Sequence, residues 1–259
     1  MPHPADPAAL PRFPAFPRWI AHRGAGKLAP ENTLAAFRDG LARGWRAFEC
    51  DVKLSSDGTA FLLHDDTLER TSNGRGVAGE LPWAQLQALD AGSWHSAPFA
   101  GEPLPTLAQV ATLLQAHGAW LDLEIKPSPG TELATGRAVA AEATKLWAAH
   151  PGQLLLSSFE VPALEGAMQT APHLPRGLLL DELWAGWADT ARALGCCAVI
   201  INHKLMTPAL VAQLHEAGWA AMVYTVNDAA RASELFAVGL DSLVTDAVDR
   251  LGPKDRQSD

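Results

Sequence analysis

The stretch AFECDVKLSSDGTAFLLH (residues 47–64) decides the fold class. It contains two apolar, strand-like runs at residues 47–52 and 60–63, and the turn-rich residues 55–58 lie between them. A parallel crossover needs a dozen or more residues, whereas so short a link suits an antiparallel hairpin. We therefore predict that the two runs form a hairpin and that only the first joins a parallel sheet.

Seven further strand-like runs alternate with helical patterns, which is typical of βα units around a parallel sheet. They lie at residues 19–21, 120–125, 154–157, 177–180, 198–201, 221–226 and 242–245. Together with residues 47–52 they supply eight strands, and the chain length of 259 residues matches a (β/α)8 barrel. We predict an α/β fold of this TIM type, formed by a single domain over residues 18–250.

Three segments fall outside the βα rhythm. Residues 1–17 contain six prolines and are predicted to form an extended arm rather than a signal peptide. Residues 65–105 are rich in turn signals, which predicts a small inserted cap over the mouth of the barrel after the hairpin. Residues 251–259 are predicted to form a polar tail.

The composition limits the partners and the compartment. Twenty basic and 29 acidic side chains give a net charge of -9, which disfavours nucleic acid and stable association with anionic membranes. The three cysteines form no CxxC motif, so a disulfide framework is not expected and a reducing cytoplasm fits best. Trp184 and Trp187, predicted to be exposed, hint at a contact surface that could support a homodimer.

Charged side chains alternate with apolar ones in two predicted strands. This alternation turns Glu49 and Asp51 toward the barrel interior, and it does the same for Glu124 and Lys126. Converging carboxylates need a compensating cation, and oxygen ligands select a hard ion such as Mg²⁺ or Ca²⁺. An ion-pair network inside the barrel, involving Lys126 or Arg23, is the alternative.

Two histidines and an arginine accompany these strands. Arg23 follows the first strand, where its guanidinium could clamp a phosphate and Lys126 could add a second positive charge. His22 precedes it, and His64 ends the hairpin about opposite Asp51. Two imidazoles beside a bound anion suit phosphodiester cleavage, because they can share the roles of general base and general acid.

Several further residues are candidates for the pocket wall. Phe159 and Tyr224 follow or end predicted strands, although core packing explains them equally well. Asn202 lies at a plausible rim position, and Trp94 of the predicted cap is another candidate. These four side chains are candidates for lining the pocket, and no catalytic role is assigned to them.

Six short motifs occur in order along nearly the whole chain. They are His22-Arg23-Gly24, Pro30-Glu31-Asn32-Thr33, Glu49-x-Asp51, Leu63-His64-Asp65, Leu123-Glu124-Ile125-Lys126 and Ser157-Ser158-Phe159. The set resembles the glycerophosphodiester phosphodiesterase family. This resemblance implies a phospholipase-C-like barrel with an inserted cap, and cleavage of small glycerophosphodiesters to sn-glycerol 3-phosphate and an alcohol.

The resemblance also implies roles for individual residues. Glu49, Asp51 and Glu124 match the ligands of one divalent metal ion. His22 and His64 match the catalytic pair, while Arg23 and Lys126 match the phosphate contacts. We expect a cyclic phosphate intermediate, with His22 as the first base and His64 as the first acid.

Other functions are compatible with the same barrel. It could act as a phospholipase C or D on lipid phosphodiesters, because a fold does not fix a substrate. A non-catalytic barrel could keep Arg23 and Lys126 as a binding site for a phosphorylated metabolite. A zinc amidohydrolase is disfavoured, since the first strand lacks His-x-His.

Overall fold

A computed structural model describes residues 16–253 and shows eight parallel strands closed into a barrel. The strands are β1 (Trp19–Ala21), β2 (Ala47–Leu54), β3 (Ala60–Leu62), β4 (Trp120–Ile125), β5 (Leu154–Ser158), β6 (Arg176–Leu180), β7 (Ala198–Asn202), β8 (Ala220–Tyr224) and β9 (Ser242–Thr245). The strand β1 pairs with both β2 and β9, which closes the ring. The predicted TIM-type fold is confirmed.

One further strand, β3, lies outside the ring of eight. It runs antiparallel to β2, with Val52 opposite Leu62. On the other half of β2, Ala21 of β1 pairs with Phe48. The predicted hairpin is therefore confirmed, and β3 borders the part of β2 that extends beyond β1.

Eight α-helices accompany the strands in residues 16–253. They are α1 (Leu34–Ala42), α2 (Trp83–Leu86), α3 (Leu107–Gln115), α4 (Glu132–Leu146), α5 (Val161–Thr170), α6 (Trp187–Ala193), α7 (Pro208–Glu216) and α8 (Ala229–Ala237). Side-chain oxygens of Thr33, Thr106, Thr207 and Asp228 cap α1, α3, α7 and α8. Each cap satisfies a backbone N–H that lacks a partner within its helix.

Alternation along the strands separates the core from the interior of the barrel. Phe48, Cys50 and Val52 pack outward among the helices, and the ring of Phe48 meets that of Phe37 at 5.6 Å. The inward positions of other strands fill the lower barrel with apolar side chains, such as Leu155. The polar inward residues of β2 and β4 are thereby left above an apolar floor.

The segment at residues 65–105 contains α2 and two short 3-10 helices, Ala78–Glu80 and Ala97–Phe99. Its apolar residues pack on β3 through Phe61. The Glu102 carboxylate accepts a hydrogen bond from the backbone N–H of Ala35, at 2.8 Å. All residues of the segment are described, and none lines the main cavity of the barrel. The segment therefore flanks β3 and the loop before α1, and its role as a cap over the mouth stays a prediction.

Most of the predicted arm and residues 254–259 of the predicted tail lie outside the described residues. At the end of the arm, the Pro17 carbonyl accepts a hydrogen bond from Ser242 Oγ at 2.7 Å.

Trp187 was predicted to be exposed, but it is buried and its ring packs 6.0 Å from that of Trp219. Trp184 is half-buried.

No helix within residues 16–253 combines the length and the apolar character needed to cross a bilayer.

Candidate active site

Three carboxylates meet at the carboxyl ends of β2 and β4. Asp51 pairs in register with Glu124, and Glu49 lies two residues earlier on the same face of β2. One oxygen from each side chain lies within 4.8 Å of one from each of the others. All three residues are buried. The alternation seen in the sequence thus becomes an oxygen-lined cluster that could hold a metal ion.

The electrostatics of this cluster fit a divalent cation. Burial, together with Asp51 and Glu124, raises the pKa of Glu49. Burial and the charge of Asp51 raise the pKa of Glu124 to about 7. Burial also opposes ionisation of Asp51, but Arg23, His64 and Lys126 together outweigh it and lower the pKa of Asp51 to about 2. Among the described residues, Glu49 Oε1 and Asp51 Oδ1 are buried without a hydrogen-bond partner.

Ion pairs are also present, as the alternative interpretation of the sequence expected. Arg23 Nε lies 3.2 Å from Asp51 Oδ2, and Lys126 Nζ lies 2.9 Å from Glu124 Oε1. These ion pairs do not give Glu49 Oε1 or Asp51 Oδ1 a hydrogen-bond partner. A hard cation with oxygen ligands would satisfy them.

Arg23 is held in an unusual backbone conformation. Its φ of 50° lies in the left-handed region, which non-glycine residues seldom adopt. The backbone N–H of Arg23 donates to Glu49 Oε2 at 3.1 Å, and its guanidinium donates to Glu31 Oε1 at 2.7 Å. The guanidinium is thereby fixed beside the carboxylate cluster.

His22 is oriented by an aspartate from the opposite end of the chain. Its Nδ1 lies 2.6 Å from Asp246 Oδ1, while Asn227 donates to Asp246 Oδ2 at 3.1 Å. Burial opposes ionisation of Asp246, but the hydrogen bond and charge of His22, together with the hydrogen bond from Asn227, outweigh it and lower the pKa of Asp246 to about 2. Because a carboxylate only accepts, His22 Nδ1 carries the proton. Its Nε2, 3.7 Å from Glu49 Oε2, is then free to accept one.

His64 has the same arrangement on the other side. Its Nδ1 lies 2.6 Å from Asp65 Oδ1, and the side chain lines the cavity. Burial lowers the pKa of His64, although Asp51 opposes this shift. The residue opposite Asp51 is Leu63, whose N–H donates to the Asp51 carbonyl at 3.1 Å. The predicted register of His64 was therefore off by one residue.

Six of the seven principal predicted site residues line one cavity of about 450 Å³. The seventh, Asp51, is fully buried next to them. Phe159 and Tyr224 also line the cavity, and their rings lie 5.6 Å apart in an edge-to-face arrangement. Lys126 Nζ lies 5.4 Å from the Phe159 ring. The cavity thus joins a charged side to an aromatic one.

Two candidates for the pocket wall do not line this cavity. Asn202 donates instead to Asp181 at 2.9 Å, and Asp181 is the residue that lines the wall. Trp94 lies on the flanking segment, where its Nε1 donates to the Ala91 carbonyl at 2.8 Å.

Sequence reasoning also missed residues of the site. Asp122 lies on the inward face of β4, and Ser157 Oγ donates to it at 2.6 Å. Burial raises the pKa of Asp122 to about 7. The same alternation that identified Glu124 could have found it. Asp181 and Asp246 follow strands, so the alternation within a strand could not identify them. Their positions in the site depend on barrel closure.

The fold and this site together define the class of the protein as a TIM-barrel hydrolase with an active site at the carboxyl ends of its strands. Residues 22–250 match the model of the Glycerophosphoryl diester phosphodiesterase family. The chain belongs to this family, and it is a phosphoric diester hydrolase.

Individual relatives agree with this assignment. A glycerophosphodiester phosphodiesterase of Caldanaerobacter subterraneus subsp. tengcongensis is 32% identical over 235 residues, covering 88% of this chain and 93% of the relative. A phosphodiesterase of Oleispira antarctica, solved in complex with the product sn-glycerol-3-phosphate, is 34% identical with a TM-score of 0.83, covering 90% of this chain and 94% of that one. A glycerophosphodiester phosphodiesterase of Agrobacterium tumefaciens is 28% identical with a TM-score of 0.78, covering 90% and 98%.

Proposed function

We propose that the protein cleaves small glycerophosphodiesters to sn-glycerol 3-phosphate and an alcohol in the cavity described above. The observation that carries the proposal is a buried carboxylate cluster flanked by two histidines, each with Nδ1 on a carboxylate. The product bound to the Oleispira antarctica relative supports the choice of substrate.

One divalent cation, Mg²⁺ or Ca²⁺, would be held by Glu49, Asp51 and Glu124. The unmatched oxygens of Glu49 and Asp51 support this assignment. When bound, such an ion supplies positive charge that stabilises the nonbridging oxygens of a phosphodiester. Arg23 and Lys126 would contact the same phosphate, because both side chains line the cavity beside the cluster.

The tautomer of His22 supports its role as the first base. Its Nε2 would remove the proton from a glycerol hydroxyl, whose oxygen would then bond to phosphorus. His64, protonated on Nε2, would donate its proton to the departing alcohol oxygen as the bond from that oxygen to phosphorus breaks. The product of this step would be a cyclic phosphate and a free alcohol.

A second step would restore the enzyme. His64 would take a proton from water, whose oxygen would attack the cyclic phosphate. His22 would return its proton to the glycerol oxygen as the ring opens, which leaves sn-glycerol 3-phosphate. Each histidine therefore ends in its starting protonation state.

Incubation with glycerophosphocholine, glycerophosphoethanolamine and glycerophosphoglycerol tests the proposal. We expect release of sn-glycerol 3-phosphate from at least one of them, loss of that release in EDTA, and recovery with Mg²⁺ or Ca²⁺. Release that resists EDTA would contradict the metal site. No release from any substrate, with metal present, would favour a binding protein.

A cytoplasmic location and a homodimer also remain proposals. Cys50 and Cys196 are buried, and all three cysteines are free, in keeping with a reducing compartment. Cell fractionation would test the location, and light scattering during size-exclusion chromatography would measure the oligomeric state.

A further inference from the structure

Arg70, on the flanking segment, binds two carboxylates from different parts of the chain. Its Nη1 and Nη2 donate to Glu31 Oε2 and Oε1 at 2.9 and 2.8 Å. Its Nε and Nη2 donate to Asp65 Oδ2 and Oδ1 at 2.5 and 2.9 Å. Glu31 belongs to the loop between β1 and α1, whereas Asp65 begins the flanking segment. One planar guanidinium therefore joins the barrel to this segment.

Each of the two carboxylates also holds a residue of the proposed reaction. Glu31 Oε1 accepts a hydrogen bond from Arg23 Nη1 at 2.7 Å. Asp65 Oδ1 lies 2.6 Å from His64 Nδ1. A continuous chain of charged groups therefore runs from Arg23 through Glu31, Arg70 and Asp65 to His64.

We propose that Arg70 is a positioning residue, which fixes the phosphate-binding Arg23 and the proton-transferring His64 relative to each other. The inference rests on the roles proposed above for those two residues. Arg70 itself lies outside the cavity, so its effect must pass through Glu31 and Asp65.

The physical argument is one of geometry rather than stability. The Arg70 side chain is 45% exposed, and ion pairs this open to solvent add little to the stability of a fold. A guanidinium offers five N–H donors in a fixed plane, however, and this fork can hold two carboxylates at a defined separation. Without it, Glu31 and Asp65 would each be free to rotate away from their catalytic partners.

Kinetics of Arg70→Ala and Arg70→Lys would test the inference. We expect kcat of Arg70→Ala to fall by about tenfold or more, because small misplacements of catalytic groups are costly. Its KM should change less than its kcat. Arg70→Lys should recover only part of the rate, since an ammonium cannot grip both carboxylates. Added guanidinium ion, well below denaturing concentrations, should partly restore Arg70→Ala.

Arg75→Ala is the matched control, because Arg75 is an exposed arginine of the same segment outside the described network. It should retain the wild-type rate. The melting temperatures of all three variants should stay close to that of the wild type. If Arg70→Ala kept the wild-type kcat, or lost activity only in proportion to unfolding and without rescue by guanidinium ion, the inference would be overturned.

Two further variants separate this inference from the proposed function. His64→Ala should lose activity without rescue by guanidinium ion, because the missing group is the imidazole. If the wild type released no sn-glycerol 3-phosphate from any substrate, the proposed function itself would fail, whereas full turnover by both Arg23→Ala and His64→Ala would refute the roles proposed for those two residues. If those two lost turnover while Arg70→Ala did not, only the positioning role would fail.

Discussion

At the scale of single residues, the contacts of Asp246 decide what His22 can do. The carboxylate binds Nδ1 of the imidazole at 2.6 Å. Asn227 holds Asp246 twice, because its Nδ2 donates to the carboxylate and its Oδ1 accepts from the Asp246 backbone N–H. The arrangement leaves Nε2 as the acceptor that faces the carboxylate cluster. A histidine without this partner could adopt either neutral tautomer.

Asp246→Asn should therefore impair catalysis more than binding. The new amide N–H could donate to His22 Nδ1 and so move the imidazole proton to Nε2, where a base needs a lone pair. A similar change in serine proteases costs about 10⁴-fold in kcat, so we expect a loss of about 10²- to 10⁴-fold with a smaller change in KM. Steady-state kinetics would measure it, with the exposed Asp249→Asn as a control. An unchanged kcat would show that Asp246 does not select the tautomer.

His22→Ala and His64→Ala should each reduce kcat by about 10²-fold or more, because each removes a proton-transfer group. His117→Ala offers a matched control, since His117 is an exposed residue at the end of α3. Circular dichroism would establish that all three variants stay folded. Full turnover in either active-site variant would remove that histidine from the mechanism.

At the scale of helices, α4 and α5 approach each other through glycines. A Cβ atom added to Gly136 would overlap the Ala163 carbonyl oxygen, and one added to Gly166 would overlap the Leu133 carbonyl oxygen. The two helices follow β4 and β5, which carry Glu124 and Ser157. Their close packing thus helps to fix the strands beneath the site.

Gly136→Ala should destabilise the protein, although the same change in an open helix stabilises by about 0.5–1 kcal/mol. Here we expect a loss of about 1–3 kcal/mol in the free energy of unfolding, because the methyl group must push the helices apart. Urea unfolding followed by circular dichroism would measure it. Ala138→Gly, at an exposed position of α4, would calibrate helix propensity alone. A stabilised Gly136→Ala variant would contradict the close approach.

At the scale of the whole molecule, the buried carboxyls of the site make the stability of the fold depend on pH. Burial raises the pKa of Asp122 and of Glu124 to about 7, from ordinary values of 3.8 and 4.5. At pH values between the ordinary and the raised pKa, these two carboxyls have lost their protons in the unfolded chain but keep them in the metal-free folded protein. Above about pH 5, where carboxyls with lowered pKa values such as Asp51 and Asp246 are ionised in both states, we therefore expect stability to fall as pH rises. Burial lowers the pKa values of His64 and His203, so these two histidines make stability rise with pH. The three carboxyls with raised pKa values, Asp122, Glu124 and Glu49, act against them and are the larger group.

In EDTA, the melting temperature should therefore decrease between about pH 5 and about pH 8. Excess Mg²⁺ should raise it more at the higher pH, where the carboxylates that would bind the ion are charged. Differential scanning calorimetry would measure both trends. Asp122→Asn should make the decline in EDTA shallower, because one raised pKa is removed. A flat profile in EDTA would mean that the cluster carries no excess charge.

Much of this molecule could be predicted from local sequence. The period-two pattern of β2 and β4 placed Glu49, Asp51 and Glu124 on one face, and the short link at residues 55–58 separated β3 from the ring. These features depend only on neighbours a few residues away, which is why the sequence reveals them.

The sequence by itself determined the barrel, the carboxylate face and the two histidines, because strand alternation and turn length are local properties of the chain. Only the tertiary structure decided which carboxylate orients His22, since Asp246 is 224 residues away and meets it only when β9 closes on β1. It also decided that Arg70, within residues 65–105, reaches Glu31 in the loop before α1. Contacts between distant segments follow from closure and packing, which no local pattern encodes.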